Sequence, residues 1–102
     1  MGLFDLFGGG KKQEQVKEML GNGALILDVR SPGEYSSGHV KGSQNVPLDS
    51  LQQKVDKIKK MKKPVVTCCA SGMRSGAAAS MLKQNGIEAV NGGSWTKVNG
   101  LV

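Results

Sequence analysis

The sequence predicts an α/β fold, in which a small parallel β-sheet of four to five strands is flanked by helices on both faces. Three short apolar runs, 24–30, 65–69 and 87–91, have the length and residue types of strands. The segments between them carry the apolar spacing and stop signals of helices. Strands that alternate with helices in a chain of 102 residues favour one domain with a parallel sheet.

The first ten residues differ in composition from the rest of the chain. They are rich in apolar side chains and end in three successive glycines. We interpret residues 1–10 as a flexible apolar and glycine-rich arm, and residues 11–102 as the folded domain. At the start of that domain, Lys11 to Leu20 is predicted to form a helix that stops at Gly21.

Charged residues follow the first predicted strand, Ala24–Arg30. The stretch 31–34 has serine as a cap, proline at the first helical position and glutamate three residues after the serine. This capping box predicts one short helical turn. Asp28, Arg30 and Glu34 are expected to lie close together, as an ion-pair network that pins the end of the strand, with a charged cluster under the active loop as the alternative. His39 is interpreted as a structural hydrogen-bonding residue, with general-base catalysis as the alternative.

A predicted amphipathic helix that starts near Asp49 or Ser50 carries much of the net charge of +6. Apolar residues from Leu51 to Met61 recur at helical spacing along it. Its lysines are interpreted as a solvated face that would still attract small anions or an acidic protein partner. They are Lys54, Lys57, Lys59, Lys60, Lys62 and Lys63. No aromatic residues are interleaved to stack on bases, so nucleic-acid binding is not expected.

The cysteine count and the apolar runs bear on the cellular setting. No run approaches the length of a membrane span and no segment resembles a secretory signal, so no membrane association is expected. Two adjacent cysteines are not a disulfide framework, which favours a cytoplasmic location. They lack metal-ligand spacing, and with one histidine in the chain no metal site is expected. The expected assembly is a monomer.

The stretch with the most chemical information follows the apolar run 65–69. A cysteine stands at the carboxyl end of that predicted strand, then comes a short loop, and the good helix former 76–83 lies behind it. Ligands of open α/β sheets bind at this end of the strands. Backbone N–H groups of a curled loop and the positive end of a helix would lower the pKa of a thiol there and favour the thiolate.

Two cysteines compete for the role of nucleophile. Between Cys69 and Arg74 there are four residues, which makes a small cradle suited to one sulfur atom. Counting from Cys68 instead gives a wider cradle of the kind that holds a phosphate, as in a phosphatase or an arsenate reductase. Successive strand residues face opposite sides, so only one of the two leads into the loop. Cys69 is favoured, because Gly72 then falls in mid-loop, where a positive φ is easily adopted.

The end of the chain completes the predicted sheet. Asn85-Gly86 is predicted to end the helix that follows the loop. Ile87–Asn91 is predicted to be the last strand, and Gly92-Gly93 a turn after it. Trp95 is expected to cover one end of the core.

Taken together, these motifs resemble the signature of single-domain rhodaneses. The resemblance rests on the stretches 28–30, 34–35, 38–43, 45–47, 69–75 and 91–93, and it extends from about Leu25 to Trp95. The chain departs from the family pattern at three places, one of which is Cys68, at a position that is often aromatic or aliphatic in the family. Residues 1–10 do not resemble the edge strand that usually precedes the first helix, and only one residue separates Gly93 from Trp95.

The resemblance implies a rhodanese-like fold and thiosulfate sulfurtransferase activity without a cofactor. It implies that Cys69 takes a sulfane sulfur from thiosulfate or a related small anionic donor and holds it as a persulfide. The sulfur then passes to a thiophilic acceptor, which is cyanide, a thiol or a protein. The implied substrate-binding loop is Ala70, Ser71, Gly72, Met73, Arg74 and Ser75, with Arg74 binding the sulfonate or bracing the loop. A non-catalytic or persulfide-carrier domain of the same fold is the alternative.

Overall fold

The computed structural model of this chain describes residues 9–102. The predicted arm lies outside the described residues except for Gly9 and Gly10, which belong to the first helix. The helices are α1 (Gly9–Gly21), α2 (Pro32–Ser36), α3 (Leu51–Lys60), α4 (Met73–Gln84) and α5 (Trp95–Asn99), and a 3-10 turn (Leu48–Ser50) precedes α3. The strands are β1 (Leu25–Asp28), β2 (Gln44–Asn45), β3 (Val65–Cys69) and β4 (Ala89–Ser94).

The four described strands form one parallel sheet in the order β2-β1-β3-β4. The central strands β1 and β3 are buried along their whole length, as expected of strands covered on both faces. Parallel pairing brings the carboxyl ends of all four strands to the same edge. The predicted fold class is therefore confirmed. The described residues form four strands, the lower of the two numbers expected from the sequence.

Each face of the sheet carries its own apolar core. On one face, α3 and α4 contribute Leu51 and Leu82 to a cluster that includes Cys69. On the other face, α1 and α5 contribute Val16 and Val98 to a cluster that includes Cys68. The two neighbouring cysteines thus point to opposite sides of β3, as the alternation of a strand requires.

The last strand is longer than predicted, because it runs on through both glycines to Ser94. A β-carbon on Gly92 would come within 2.7 Å of the side chains of Val66 and Val98, so only glycine fits there. The register shifts between Thr67 and Cys69, after which Cys69 pairs with Ser94. The prediction of a simple turn at Gly92-Gly93 was wrong: close packing, and not chain reversal, explains the first glycine, although Gly93 does adopt a positive φ of 89°.

Other element boundaries differ modestly from the predictions. The capping box at Ser31 is present and starts α2 at Pro32. The lysine-rich helix α3 ends at Lys60, since Lys62 adopts a left-handed φ of 56°. Helix α4 begins at Met73, three residues before the predicted start. Within residues 9–102, no helix has the length and apolar character needed to cross a membrane.

Candidate active site

The candidate site lies where β3 ends and α4 begins. Cys69 is the last residue of β3, and three residues later Gly72 caps α4 with a φ of 100°. That left-handed conformation costs a residue with a side chain about 1–2 kcal/mol. A β-carbon on Gly72 would also lie 3.3 Å from the Cα of Gly93. Glycine at this position therefore lets the loop curl tightly around the cysteine.

Two loop residues hold the thiol of Cys69. Its Sγ accepts hydrogen bonds from the backbone N–H of Gly72 at 3.0 Å and of Ser75 at 3.4 Å, and Ser75 Oγ lies 3.4 Å away. Burial on its own raises the pKa of the thiol, but the hydrogen bonds from Ser75 and from the backbone of Gly72 and Ser71 outweigh it, so the pKa of Cys69 is lowered. The loop therefore favours a thiolate, as expected from its sequence.

Cys68 has the opposite environment. It is fully buried in the core under α1 and α5. Burial, together with the negative charge of Asp28, raises the pKa of Cys68 to about 12. The loop N–H groups are directed at Cys69 instead, so the wider cradle that a Cys68-dependent phosphatase would need is not formed.

A polar residue of the neighbouring strand, Asn91, ties the loop to the sheet. Its Oδ1 accepts hydrogen bonds from Ser75 Oγ at 2.6 Å and from the backbone N–H of Gly93 at 2.9 Å. Its Nδ2 donates to the carbonyl of Gly72 at 3.0 Å. The sequence assigned Asn91 no role beyond the last strand. Its position could have suggested a role in the site, because it is a polar residue near the carboxyl end of a strand and the site lies at that edge of the sheet.

The guanidinium of Arg74 is held by Glu34 from α2. Its two terminal nitrogens donate to the two carboxylate oxygens at 2.8 and 3.0 Å. Arg74, followed by the backbone of Ser31, lowers the pKa of Glu34 to about 2. Both side chains are roughly two-fifths exposed. The contact braces α2 against the active loop and balances the charge of Arg74, while its other N–H groups are left for further bonds.

The predicted three-residue charge network was only partly right. Asp28 and Arg30 do form a buried pair, with Arg30 Nη2 at 2.7 Å from both Asp28 Oδ2 and the carbonyl of Gly38. The guanidinium also lies 4.9 Å from the ring centroid of Trp95, which packs against the second core. Glu34 pairs with Arg74 instead, while its carboxylate also accepts the hydrogen bond of the capping box from the backbone N–H of Ser31.

His39 makes the contacts of a structural residue. Its Nδ1 lies 2.7 Å from the carbonyl oxygen of Tyr35, and its ring stacks on that of Tyr35 at 3.7 Å. Its side chain is exposed. These local contacts agree with the structural interpretation of His39 and place it with α2.

The six predicted loop residues contribute unequally to the thiol environment. Gly72 and Ser75 contact Sγ directly, and the backbone of Ser71 helps to lower the pKa of Cys69. Arg74 reaches Glu34, as described above. Ala70 is exposed, and Met73 is 82% exposed on the outside of the loop.

Two cavities flank the active loop on opposite sides. One, of about 590 Å³, lies beside Arg74 and is lined by Val29, Pro32, Pro47 and Leu48; we call it the apolar cavity. The other, of about 370 Å³, lies against Ser71, Gly72 and Gly93 and is also lined by Lys12 and Lys97; we call it the basic cavity. The loop thus separates two environments of different charge.

Comparisons with known proteins agree with this fold. The model of the family described as Rhodanese-like domain matches residues 12–98. The chain is 43% identical over 63 residues to an uncharacterized protein, YqhL, of Bacillus subtilis; the match covers 62% of this chain and 49% of that protein. It is 30% identical over 77 residues to the thiosulfate sulfurtransferase GlpE of Ectopseudomonas mendocina, covering 76% of this chain and 70% of that protein.

The chain is also similar to parts of longer proteins. The chain is 33% identical over 82 residues to a tRNA uridine(34) hydroxylase of Escherichia fergusonii, covering 74% of this chain and 23% of that protein. Among solved structures, reduced CoADR-RHD of Bacillus anthracis superimposes with a TM-score of 0.72 at 32% identity. That match covers 87% of this chain and 16% of the other. The chain therefore spans about half, or much less, of the length of several proteins that it resembles.

Proposed function

The chain belongs to the rhodanese-like domain family, and from that premise we propose that it is a sulfurtransferase. It would move a sulfane sulfur from thiosulfate or a related donor to a thiophilic acceptor through a persulfide on Cys69. The observation that carries the proposal is the position of the Cys69 Sγ, within 3.0 and 3.4 Å of two backbone N–H groups that favour the thiolate.

In the first half-reaction, the thiolate of Cys69 attacks the outer sulfur of thiosulfate. A new S–S bond forms to Cys69, the S–S bond of thiosulfate breaks, and sulfite leaves with the bonding electron pair. No proton has to be removed when the thiol is already ionised, which agrees with the absence of a histidine among the described contacts of Sγ. Cysteine nucleophiles activated by a lowered pKa commonly work in this way.

The persulfide that results carries its negative charge on the outer sulfur. Backbone N–H groups of the loop 70–75, of which those of Gly72 and Ser75 already bond Sγ, would stabilise such a charge by the same physics as an oxyanion hole. Arg74 lines the apolar cavity, and its N–H groups not used by Glu34 are suited to a sulfonate. Because Glu34 balances its charge, Arg74 would contribute directed hydrogen bonds more than net attraction.

In the second half-reaction, a nucleophilic acceptor attacks the outer sulfur. The bond between that sulfur and Cys69 breaks, and the Cys69 thiolate is restored. With cyanide the product is thiocyanate, and with a thiolate it is a new persulfide. The sulfur moves without net oxidation of the protein, so the cycle needs no cofactor.

Mass spectrometry of the intact protein tests both half-reactions. After thiosulfate treatment we expect a gain of one sulfur atom that disappears on addition of cyanide, with release of thiocyanate. Cys69→Ser should lose the gain, and Cys68→Ser, the matched control, should keep it. A gain that neither cyanide nor thiols can remove would not be a persulfide and would refute the proposal. No gain in the folded wild-type protein, or a gain that follows Cys68, would refute the proposal.

A further inference from the structure

The basic cavity has an unusual balance of charge. The ammonium groups of Lys12 and Lys97 come from α1 and α5, and no acidic residue lines the cavity among the described residues. Neither lysine makes an ion pair with any described residue, whereas Arg74 on the other side of the loop is paired with Glu34. The unbalanced positive charge beside the active loop is therefore that of the two lysines.

Lys97 is held near the loop by its contact with the last strand. Its Nζ would lie 4.0 Å from a β-carbon on Gly93, and its Cδ 3.7 Å, so the side chain passes over this glycine. The Cα of Gly93 would lie 3.3 Å from a β-carbon on Gly72. Gly72 lines the basic cavity, and its backbone N–H donates to Cys69 Sγ at 3.0 Å, so the edge of the cavity reaches the residue that holds the sulfur.

The size of the basic cavity points to an organic ligand. At about 370 Å³ it falls within the range of about 300–1,000 Å³ found for pockets that bind small organic molecules. Val16 and Leu101 are among its apolar lining residues. A carbon chain that carries anionic groups would match both the apolar wall and the two ammonium groups.

We propose that the basic cavity binds the sulfur acceptor, and that this acceptor is a small organic thiol carrying one or more carboxylates. The inference rests on the sulfur-transfer function proposed above, and it names the acceptor class. Lys12 and Lys97 bind the carboxylates and direct the thiol toward the loop. The acceptor thiolate attacks the outer sulfur of the Cys69 persulfide, a new S–S bond forms on the acceptor, and the Cys69 thiolate leaves.

Transfer kinetics with two matched acceptors test this assignment. Mercaptosuccinate carries two carboxylates, and its dimethyl ester carries none. Lys12→Gln and Lys97→Gln should each raise the KM for mercaptosuccinate about three- to fivefold, the scale of an exposed charge contact, and leave the KM for the ester unchanged. Comparing each variant with wild type for the same thiol cancels the intrinsic reactivity of the two thiols.

The matched control is Lys63→Gln, which removes the same charge from the amino-terminal edge of the sheet, just before β3. At about 0.15 M salt the screening length is about 8 Å, so this variant should leave both thiols unaffected. Equal changes in all three variants would assign the effect to net charge and overturn the proposal. A rise in the thiosulfate KM with no change for mercaptosuccinate would assign the cavity to the donor and would also overturn it.

A binding experiment separates this inference from the proposed function. The unreactive thioether methylthiosuccinate is titrated into the wild-type protein, and amide shifts are followed by NMR. We expect shifts centred on Gly93, Lys97 and Leu101 that are lost in the double variant of Lys12 and Lys97. Binding without any sulfur transfer would refute the proposed function and, with it, the role of the ligand as sulfur acceptor, and would leave only a carboxylate-binding cavity. Transfer to the ester without any binding of the thioether would refute the cavity assignment alone.

Discussion

Replacing Asn91 by aspartate should suppress the ionisation of Cys69. Ser75 Oγ lies 2.6 Å from Asn91 Oδ1 and 3.4 Å from Cys69 Sγ. The Oδ1 of Asn91 and the Sγ of Cys69 are therefore at most about 6 Å apart. At a separation of about 6 Å and an effective dielectric constant of about 20, two unit negative charges repel by about 3 kcal/mol. A repulsion of that size lowers the ratio of thiolate to thiol about a hundredfold.

The substitution has a second effect on the same network. The introduced carboxylate would lack the N–H donor that Asn91 gives to the carbonyl of Gly72, and it would draw the Ser75 hydroxyl more firmly away from the sulfur. Both changes act in the same direction as the charge, because each removes support for the anionic thiol. The pKa of Cys69 should therefore rise in Asn91→Asp.

Alkylation by iodoacetamide as a function of pH measures this change. Wild type should react well below the pH at which an ordinary thiol does, and Asn91→Asp should need a higher pH for the same rate. Asn85→Asp is the control, since Asn85 also donates its side-chain amide to a carbonyl, at the far end of α4. If wild type and Asn91→Asp had the same pH profile, the account of thiol activation through Ser75 and Asn91 would be refuted.

Three further outcomes follow from contacts of the loop and sheet. Arg74→Lys should raise the thiosulfate KM about three- to tenfold with a smaller change in kcat. The KM for dimethyl trisulfide, a donor without a sulfonate, should change less. Equal losses for both donors, with a lower Tm, would show that Arg74 only braces the loop. Glu34→Gln should lower the Tm at neutral pH. Because the pKa of Glu34 falls from 4.5 to about 2 on folding, this difference should vanish as the pH drops from 4.5 to 2, and a pH-independent difference would contradict the ion pair. Gly92→Ala should cost about 1–3 kcal/mol of unfolding free energy by overpacking Val66 and Val98, measured by urea unfolding, whereas Gly33→Ala, which meets no atom within 4 Å, should not.

The parts of this molecule that sequence predicts well are those set by local chemistry. The apolar runs of β1 and β3, the capping box at Ser31 and the cysteine before a glycine-containing loop all depend on neighbours in the chain. Each has the same meaning in any fold, so each is predictable from one sequence. The opposite orientation of Cys68 and Cys69 also belongs here, because alternation along a strand sends neighbouring side chains to opposite faces.

The parts that sequence could not supply are contacts between distant segments. Glu34 pairs with Arg74 across 40 positions of the chain, while the sequence placed it with Arg30, its neighbour in the chain. Asn91 enters the site because β4 lies beside β3, and the shifted register decides which residues of the two strands meet. Gly92 looks locally like a turn residue, and only the nearness of Val66 and Val98 reveals that its lack of a side chain is what matters.

The opposite orientation of the two cysteines protects the sulfur that Cys69 would carry. A thiol next to a persulfide can attack the inner sulfur, form a disulfide and release hydrosulfide, and the stored atom is then lost to solution. Here the sheet itself stands between the two groups, and burial keeps Cys68 protonated and poorly nucleophilic. Their Cα atoms, joined by one trans peptide, are also about 3.8 Å apart, closer than an unstrained disulfide allows. A second thiol can therefore lie next to the nucleophile in the sequence without releasing the stored sulfur as hydrosulfide before it reaches the acceptor.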